Sequence, residues 1–481
     1  TLMTQNAGAE AYNVAVGFAA GEAVTTSIQN VLIGAFAGDA LTTGGGNVAI
    51  GYQALSSEDE NGTSVAIGLN SLSQQNAGVN SYNVAVGYLS GAAVTTGINN
   101  TIIGGLAGDA LTTGGFNVAL GTYALSTEDT GTRSIAIGWG ALQRQNYDGE
   151  ANNVAIGHVA GEYITTGVQN TLIGGLAGDA LTTGENNVAI GYQSLSAEDE
   201  HGTNVAVGSQ TLRSLNAGTN GLNTAVGNQA GYSSTTAIEN VLIGAAAGYA
   251  LTTGSNNVAI GRKALTTEDA HGKNVAIGFE ALKVQNAGAD ARNVSIGYQS
   301  GVDLTTGIKN VFVGNSAGEN ITEGRHNTLL GANAGDALTT GNNNIVIGYE
   351  AAASAVGVDN EITLGDTNIS AIRAQVTSIS SLSDKRDKKD IKDSTYGLDF
   401  VDSLKPVTFE WDRRDGAKKH LKDIGFVAQD LQEVDDEYTR LVYESNPDKL
   451  EATYGRLIPI MAKAIQELSA EVKELKKQIN G

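Results

Sequence analysis

The sequence predicts a mainly β chain, in which a long stack of β coils precedes a small α+β module that ends in a coiled-coil helix. Three observations carry this. A five-residue motif recurs every 17 residues over most of the chain. Glycine is abundant, 63 of 481 residues, yet it lacks the G-X-Y period of collagen. The pattern stops short of "LSDKRDKKDI" (Leu382–Ile391 with Ser383 second), and Pro406, Trp411, Pro447 and Pro459 all lie beyond it.

The motif is N-(V/T/I)-x-(V/I/L)-G. Its first four copies begin at Asn13, Asn30, Asn47 and, as SVAIG, at Ser64. Steps of 17, 17, 17 and 19 then repeat, so 70-residue super-repeats begin at Asn13, Asn83, Asn153, Asn223 and Asn293. The last keeps a 17-residue fourth step and ends the series of 21 pentads at Glu361. Such a period is the mark of stacked units that cannot bury themselves alone.

Each pentad reads as a short strand. In "NVAIG" (Asn47–Gly51), Val48 and Ile50 share one face and Ala49 takes the other. Ala at this place suggests close approach of another surface, which in a trimer would be the neighbouring chains. Gly51 permits a bend. A weaker segment follows, as in "AGDALTTG" (Ala37–Gly44), with Leu41 apolar. The recurring Asn suits an amide ladder along the stack or the turn before each strand. Twenty-one coils at about 4.7 Å each would make a rod of roughly 100 Å. Whether coils close within one chain or are shared among three stays open at this point.

Composition excludes several classes. There is no cysteine, hence no disulfide or thiolate metal site. No apolar run of about 18 residues could span a membrane, and no signal peptide is recognisable. The chain opens on Thr1 in mid-pattern, as a piece of a longer protein would. Residues 383–481 carry 18 Lys/Arg and 21 Asp/Glu, whereas the preceding 382 carry 11 and 30. So acidic a body would repel nucleic acid.

Beyond a polar, β-branched connector at 366–382, the composition changes. "GLDFVDSLKPVTFEWD" (Gly397–Asp412) reads as a short helix and then an extended segment around Pro406. "KDIGFVAQDLQEV" (Lys422–Val434) reads as a strand and a short helix. In the tail, Ile458, Met461, Ile465, Leu468, Val472, Leu475 and Ile479 alternate steps of three and four, an a/d seam among charged neighbours. A helix this short is marginal alone, so the seam is expected to pair with copies of itself. The expected domains are therefore 1–365 (solenoid), 366–382 (connector), 383–456 (globular part) and 457–481 (coiled-coil helix).

Two resemblances sharpen this. The pentads resemble the SVAIG-type repeats of trimeric autotransporter adhesin heads of the YadA-like kind, and similar repeats in phage tail fibres. "SDKRDKKDI" (Ser383–Ile391), "GLDFVDSLKPVTFEW", "IGFVAQDLQEV" and "LIPIMAKAIQELSAEVKELKKQI" resemble, in order, the peptidase S74 domain, the intramolecular chaperone that ends phage endosialidases and many tail fibres. That resemblance implies a module that gathers three chains, sets their register and is then cut away. It implies Ser383 as nucleophile and Lys388 as its partner, within a motif that includes Asp384 and Arg386, with cleavage between Leu382 and Ser383. Asp387 departs from it, since many members have an apolar residue there.

Ser-Lys pairs are known hydrolytic devices in which neutral lysine is the base. Lys388 must lose its proton, which burial or nearby cations favour. Lys385, Arg386 and Lys389 push that way, while Asp384, Asp387 and Asp390 oppose it. Five residues along a strand or a helix leave the two side chains on different faces. The pair therefore needs a bend, or a second chain.

Other candidates are weaker. "SSEDENGT" (Ser56–Thr63) and its counterparts "STEDTGT", "SAEDEHGT" and "TTEDAHGK" could offer carboxylates to Ca²⁺, but read better as acidic surface loops. Phe18, Tyr52, Tyr88, Trp139, Tyr192, Phe279, Tyr298 and Tyr349 follow pentad glycines and suit coil-corner packing better than sugar stacking. The five histidines, His158, His201, His271, His326 and His420, show no metal spacing. No metal and no cofactor is expected. The reading is a homotrimeric virion tail fibre or tailspike, assembled in the host cytoplasm, that joins the rest of the tail and meets a cell-surface receptor. A bacterial trimeric adhesin is the alternative, although that class ends in an amphipathic β-barrel anchor quite unlike the charged heptad. A glycan-degrading tailspike is less favoured, because no paired carboxylates stand in a distinct domain.

Overall fold

The computed structural model describes residues 1–481 except Ala9, Ala374, 376–382, 414–418, Ser445, Pro447, Lys449 and Gly481. It divides into two compact units, Thr1–Glu323 and Gly324–Gly481. The expected boundary at residue 365 falls inside the second.

Every pentad becomes a strand of three residues, from β1 (Val14–Val16) to β21 (Ile362–Leu364). In the first unit each strand up to β18 (Val311–Val313) lies parallel to the next and in register, as with Val48↔Val65, Ala49↔Ala66 and Ile50↔Ile67. In the second, β19 (Thr328–Leu330), β20 (Ile345–Ile347) and β21 stack likewise. Partners lie 17 residues apart, or 19 across the longer coil. Coils therefore close within one chain, forming a parallel β-solenoid.

The rest of each coil is turn, including Ala37–Gly44, where the sequence suggests a second extended segment. The turns are bonded to both neighbouring coils. Gln53 N–H donates to Ala35 O at 3.0 Å in the coil before, and Leu55 N–H to Ser71 O at 3.0 Å in the coil after. Gln53 and Leu55 both sit at left-handed φ, 53° and 54°. That conformation costs a non-glycine residue about 1–2 kcal/mol, which these bonds offset. The pentad glycine has a different reason. Gly51 has φ +139°, and a Cβ there would lie 2.3 Å from Gly68 O in the next coil.

The core corrects one expectation. The central alanines, Ala49, Ala66 and Ala85 among them, are fully buried inside the solenoid, as are Leu41, Leu55 and Leu72 of the turns. It is the flanking β-branched residues that face outward: Ile33, Ile156, Ile243 and Ile296 remain 36–38% exposed. The central residue faces the interior of its own coil, not another chain.

The 70-residue super-repeat has a packing basis. In its second coil the central residue is large: Leu32, Ile102, Leu172, Leu242 and Phe312, all fully buried. Glycines make room. A Cβ on Gly38 would meet Leu32 Cδ2 at 2.8 Å, one on Gly21 would meet Leu32 Cδ1 at 2.7 Å, and one on Gly301 would meet the Phe312 ring at 2.8 Å. Up to Phe312, one coil in four thus carries a large centre and glycines close to it leave it room.

The buried asparagines form a ladder between side chain and backbone. Asn170 Oδ1 accepts from Asn187 N–H at 3.0 Å, and Asn170 Nδ2 donates to Gly184 O at 2.9 Å. The same pair of bonds recurs at Asn83, whose Oδ1 takes Asn100 N–H and whose Nδ2 reaches Gly97 O. Both expected roles hold, since each amide links coil to coil and also satisfies the turn before the next strand.

The end of the second unit forms as the residues suggest. Helix α1 (Leu398–Ser403) precedes β22 (Val407–Asp412), which pairs antiparallel with β23 (Lys419–Gly425). Then come α2 (Ala428–Gln432), a two-residue ladder of β24 (Val442–Tyr443) and β25 (Glu451–Ala452) absent from the sequence reading, and α3 (Leu457–Asn480). Leu431, Leu441, Val442, Leu457 and Ile460 make the core, with Phe400, Leu404 and Phe426 packed against it. Among the described residues, no helix is long and apolar enough to cross a membrane.

Candidate functional site

The segment after the connector begins with a tight bend. Asp384 caps a 3-10 turn at Lys385–Asp387, its Oδ1 accepting from Arg386 N–H at 2.8 Å. The Arg386 guanidinium closes on the same carboxylate, with Nη2 to Oδ2 at 2.6 Å, and holds Asp384 below the usual carboxylate range. Lys388 ends the turn, its N–H bonded to Lys385 O. Its side chain then returns, and Nζ donates to Ser383 Oγ at 2.5 Å.

The bend that the spacing requires is this turn, supplied by one chain. Both Ser383 and Lys388 are exposed, as is Asp387 at the close of the turn. Arg386 is occupied by Asp384 and so is not turned on Lys388. Leu382, the expected residue before the cut, lies outside the described residues.

Two polar features that hold the module together had no sequence signal beyond ordinary acidic residues. Glu467 of α3 accepts from Leu398 N–H at 2.7 Å and so caps α1; a Cβ on Gly397 would fall 2.0 Å from that carboxylate. Asp435 gathers Thr439 Oγ1 at 2.6 Å, Leu441 N–H at 2.7 Å and Val442 N–H at 3.0 Å. Next to it, Asp436 accepts from the Tyr396 hydroxyl and from Thr439 N–H. These bonds hold the Asp436 carboxyl down at about 2, and the Asp436 carboxylate pushes the Tyr396 hydroxyl up to about 12.

Helix α3 shows two faces. Leu457, Ile460 and Ala464 are buried in the module. The seven seam residues, Ile458, Met461, Ile465, Leu468, Val472, Leu475 and Ile479, are all exposed, from 40% at Val472 to 81% at Ile479. The seam is therefore not how the helix packs onto its own domain.

On the solenoid, the acidic loops are not wholly surface. Glu58, Glu128, Glu198 and Glu268 are buried, while the aspartates after them are not. The aromatics after the pentad glycines stay exposed, except the half-buried Phe279, and some stack from coil to coil, such as Trp139 on His158 and Phe279 on Tyr298, each at 5.2 Å.

No curated protein matches the chain. Residues 383–442, which open with the Ser383–Lys388 pair, match the family model Peptidase_S74, chaperone of endosialidase, and they follow a β-solenoid of 17-residue period, a combination consistent with a tail fibre or tailspike.

Proposed function

We propose that the chain is the host-contacting part of a virion tail fibre or tailspike, and that residues 383–481 form a chaperone that assembles three chains and then cuts itself off between Leu382 and Ser383. The observation that carries this reading is the 2.5 Å contact of Lys388 Nζ with Ser383 Oγ at the start of the matched segment. The trimer draws support from two unpartnered apolar surfaces, the outward Val/Ile row of the solenoid and the α3 seam.

The chemistry is an acyl shift followed by hydrolysis. Neutral Lys388 takes the Ser383 hydroxyl proton as Oγ attacks the Leu382 carbonyl carbon. The bond from that carbon to Ser383 N breaks, and the proton passes to the leaving amine. Water then opens the ester, leaving a carboxylate on Leu382 and a free amine on Ser383. The exposure of Lys388 in the single chain gives assembly a role: a neighbouring chain laid over the turn would exclude water and favour the neutral amine.

Ser383→Ala removes one oxygen and little volume, so the chain should stay full length yet assemble as before. Lys388→Ala should slow or stop the cut. Intact-mass measurement of the wild type should show a 99-residue product beginning at Ser383. A cut elsewhere, or an unchanged rate in Ser383→Ala, rules the pair out.

A further inference from the structure

The four acidic loops occupy the same place in four successive super-repeats, yet a glutamine reaches the buried glutamate in only two of them; in the third, Glu198 Oε2 accepts instead from Ala217 N–H at 3.3 Å. In the first two, a glutamine from the next coil supplies the partner. Gln75 Nε2 donates to Glu58 Oε2 at 3.0 Å, and Gln145 Nε2 to Glu128 Oε2 at 2.9 Å. In the third super-repeat that glutamine is replaced by Leu215. In the fourth, Gln285 turns away to Asn274. In these two loops, and not in the others, a histidine stands three residues after the glutamate: His201 and His271, where the first two have Asn61 and Gly131.

The consequence is two copies of one cluster, Glu198–Asp199–His201 and Glu268–Asp269–His271, each with one ligand atom per residue, all within 4.8 Å of one another. The side chains of Glu198 and Glu268 are 0% exposed. Glu268 Oε2 is buried without a hydrogen-bond partner, and so are Nδ1 of His201 and Nδ1 of His271. Each Nδ1 stands 3.8 or 3.6 Å from the glutamate Oε1, too far for a hydrogen bond. Two ligands held at about 2.1 Å by a tetrahedral cation stand roughly 3.4 Å apart, close to that separation.

We propose that these two clusters are sites for a first-row divalent transition metal of the zinc type. Each cation would be held by the histidine Nδ1 and the two carboxylates, with its remaining positions open to water. Imidazole nitrogen favours such a cation over Ca²⁺ or Mg²⁺, which select oxygen. The metal takes the place beside the glutamate that the glutamine amide fills in the first two super-repeats.

The test uses the full chain, freed of any affinity tag and dialysed against chelator. Titration with Co²⁺, read by its visible absorbance, should saturate at two ions per chain, and Zn²⁺ should displace them and raise the melting temperature. His201→Asn and His271→Asn each install the residue that the first super-repeat carries at Asn61, so the coil has a precedent for folding with it. Each should remove one site, and the double variant both, together with the zinc-dependent rise in melting temperature. Wild-type chain that shows no cobalt band at millimolar metal overturns the proposal and leaves the pair as a plain His–Glu ion contact. A double variant that still binds two ions overturns it as well. Should a variant misfold, as circular dichroism would report, the wild-type stoichiometry decides by itself.

Discussion

At the residue scale, the solenoid binds its coils through groups that a sequence presents as ordinary. Asp179 is one with a measurable signature. It lies in the second coil of its super-repeat, Oδ1 is buried without a partner, and burial, helped by Glu162, pushes its carboxyl up to about 6. Its counterparts Asp39 and Asp109 are raised by burial in the same way. A carboxyl whose folded value exceeds its unfolded value stabilises the fold fully below the unfolded value, and that stabilisation is lost as pH rises through the folded one. Asp179→Asn should therefore melt above the wild type at about pH 7.5, and the gap should close as pH falls to about 4.5. Melting curves of both proteins across that range check it. A gap that does not change with pH would mean the site is not desolvated as described.

At the scale of elements, α3 separates two kinds of apolar residue that the sequence does not rank. Leu457→Ala or Ile460→Ala should cost the module about 2–5 kcal/mol, the usual range for emptying a core site. Leu468→Asp with Val472→Asp should leave circular dichroism unchanged but abolish the proposed trimer in sedimentation. If the double variant still sediments as a trimer, the seam is not the assembly surface. The strands show where legibility ended. The period of 17, the pentads as strands and α3 as a helix were all readable, because each recurs or obeys a simple period. Which face of the pentad lies inside was not. Alternation distinguishes the two faces of Val48-Ala49-Ile50 without saying which is buried; the closure of each coil on itself puts the central residue inside, together with Leu41 and Leu55 of the turns. Likewise "SDKRDKK" showed that a bend was needed between Ser383 and Lys388, but not that Asp384 makes it by capping a 3-10 turn. The clusters at His201 and His271 were hidden because their glutamates looked solvated.

At the scale of the molecule, the spacing of the paired strands bears on what a chaperone would be needed for. Parallel β-sheets are slow to fold when their strands are distant in sequence. Here strands pair 17 or 19 residues apart, which for a 481-residue chain is a relative separation of only about 0.04. Coiling within one chain is thus a local matter. In the trimer proposed above, the difficulty would lie between chains, where repeats alike enough to substitute for one another allow staggered alignments at little cost. A chain ending at residue 382 should consequently acquire β-structure but form polydisperse or aggregated assemblies, whereas removal of residues 383–481 after folding should leave the assembly whole. Sedimentation of the two preparations distinguishes them; a uniform trimer from the truncated chain at equal yield would remove the need for the module.

The matching of Leu32 to Gly21 and Gly38, repeated as Leu172 to Gly161 and Gly178, has a genetic consequence. A single 17-residue coil cannot be gained or lost freely, because one of the two hollows that receive its bulky centre, at Gly21 or Gly161, lies in the coil before it. Four coils together form a closed set, and residue 82 precedes 83 in the same setting as 152 precedes 153. Unequal crossing-over between tandem gene segments can therefore add or delete whole 70-residue cassettes while every internal fit is preserved. Each event changes the stack by about 19 Å, so reach can evolve in fixed quanta without any new packing having to be invented.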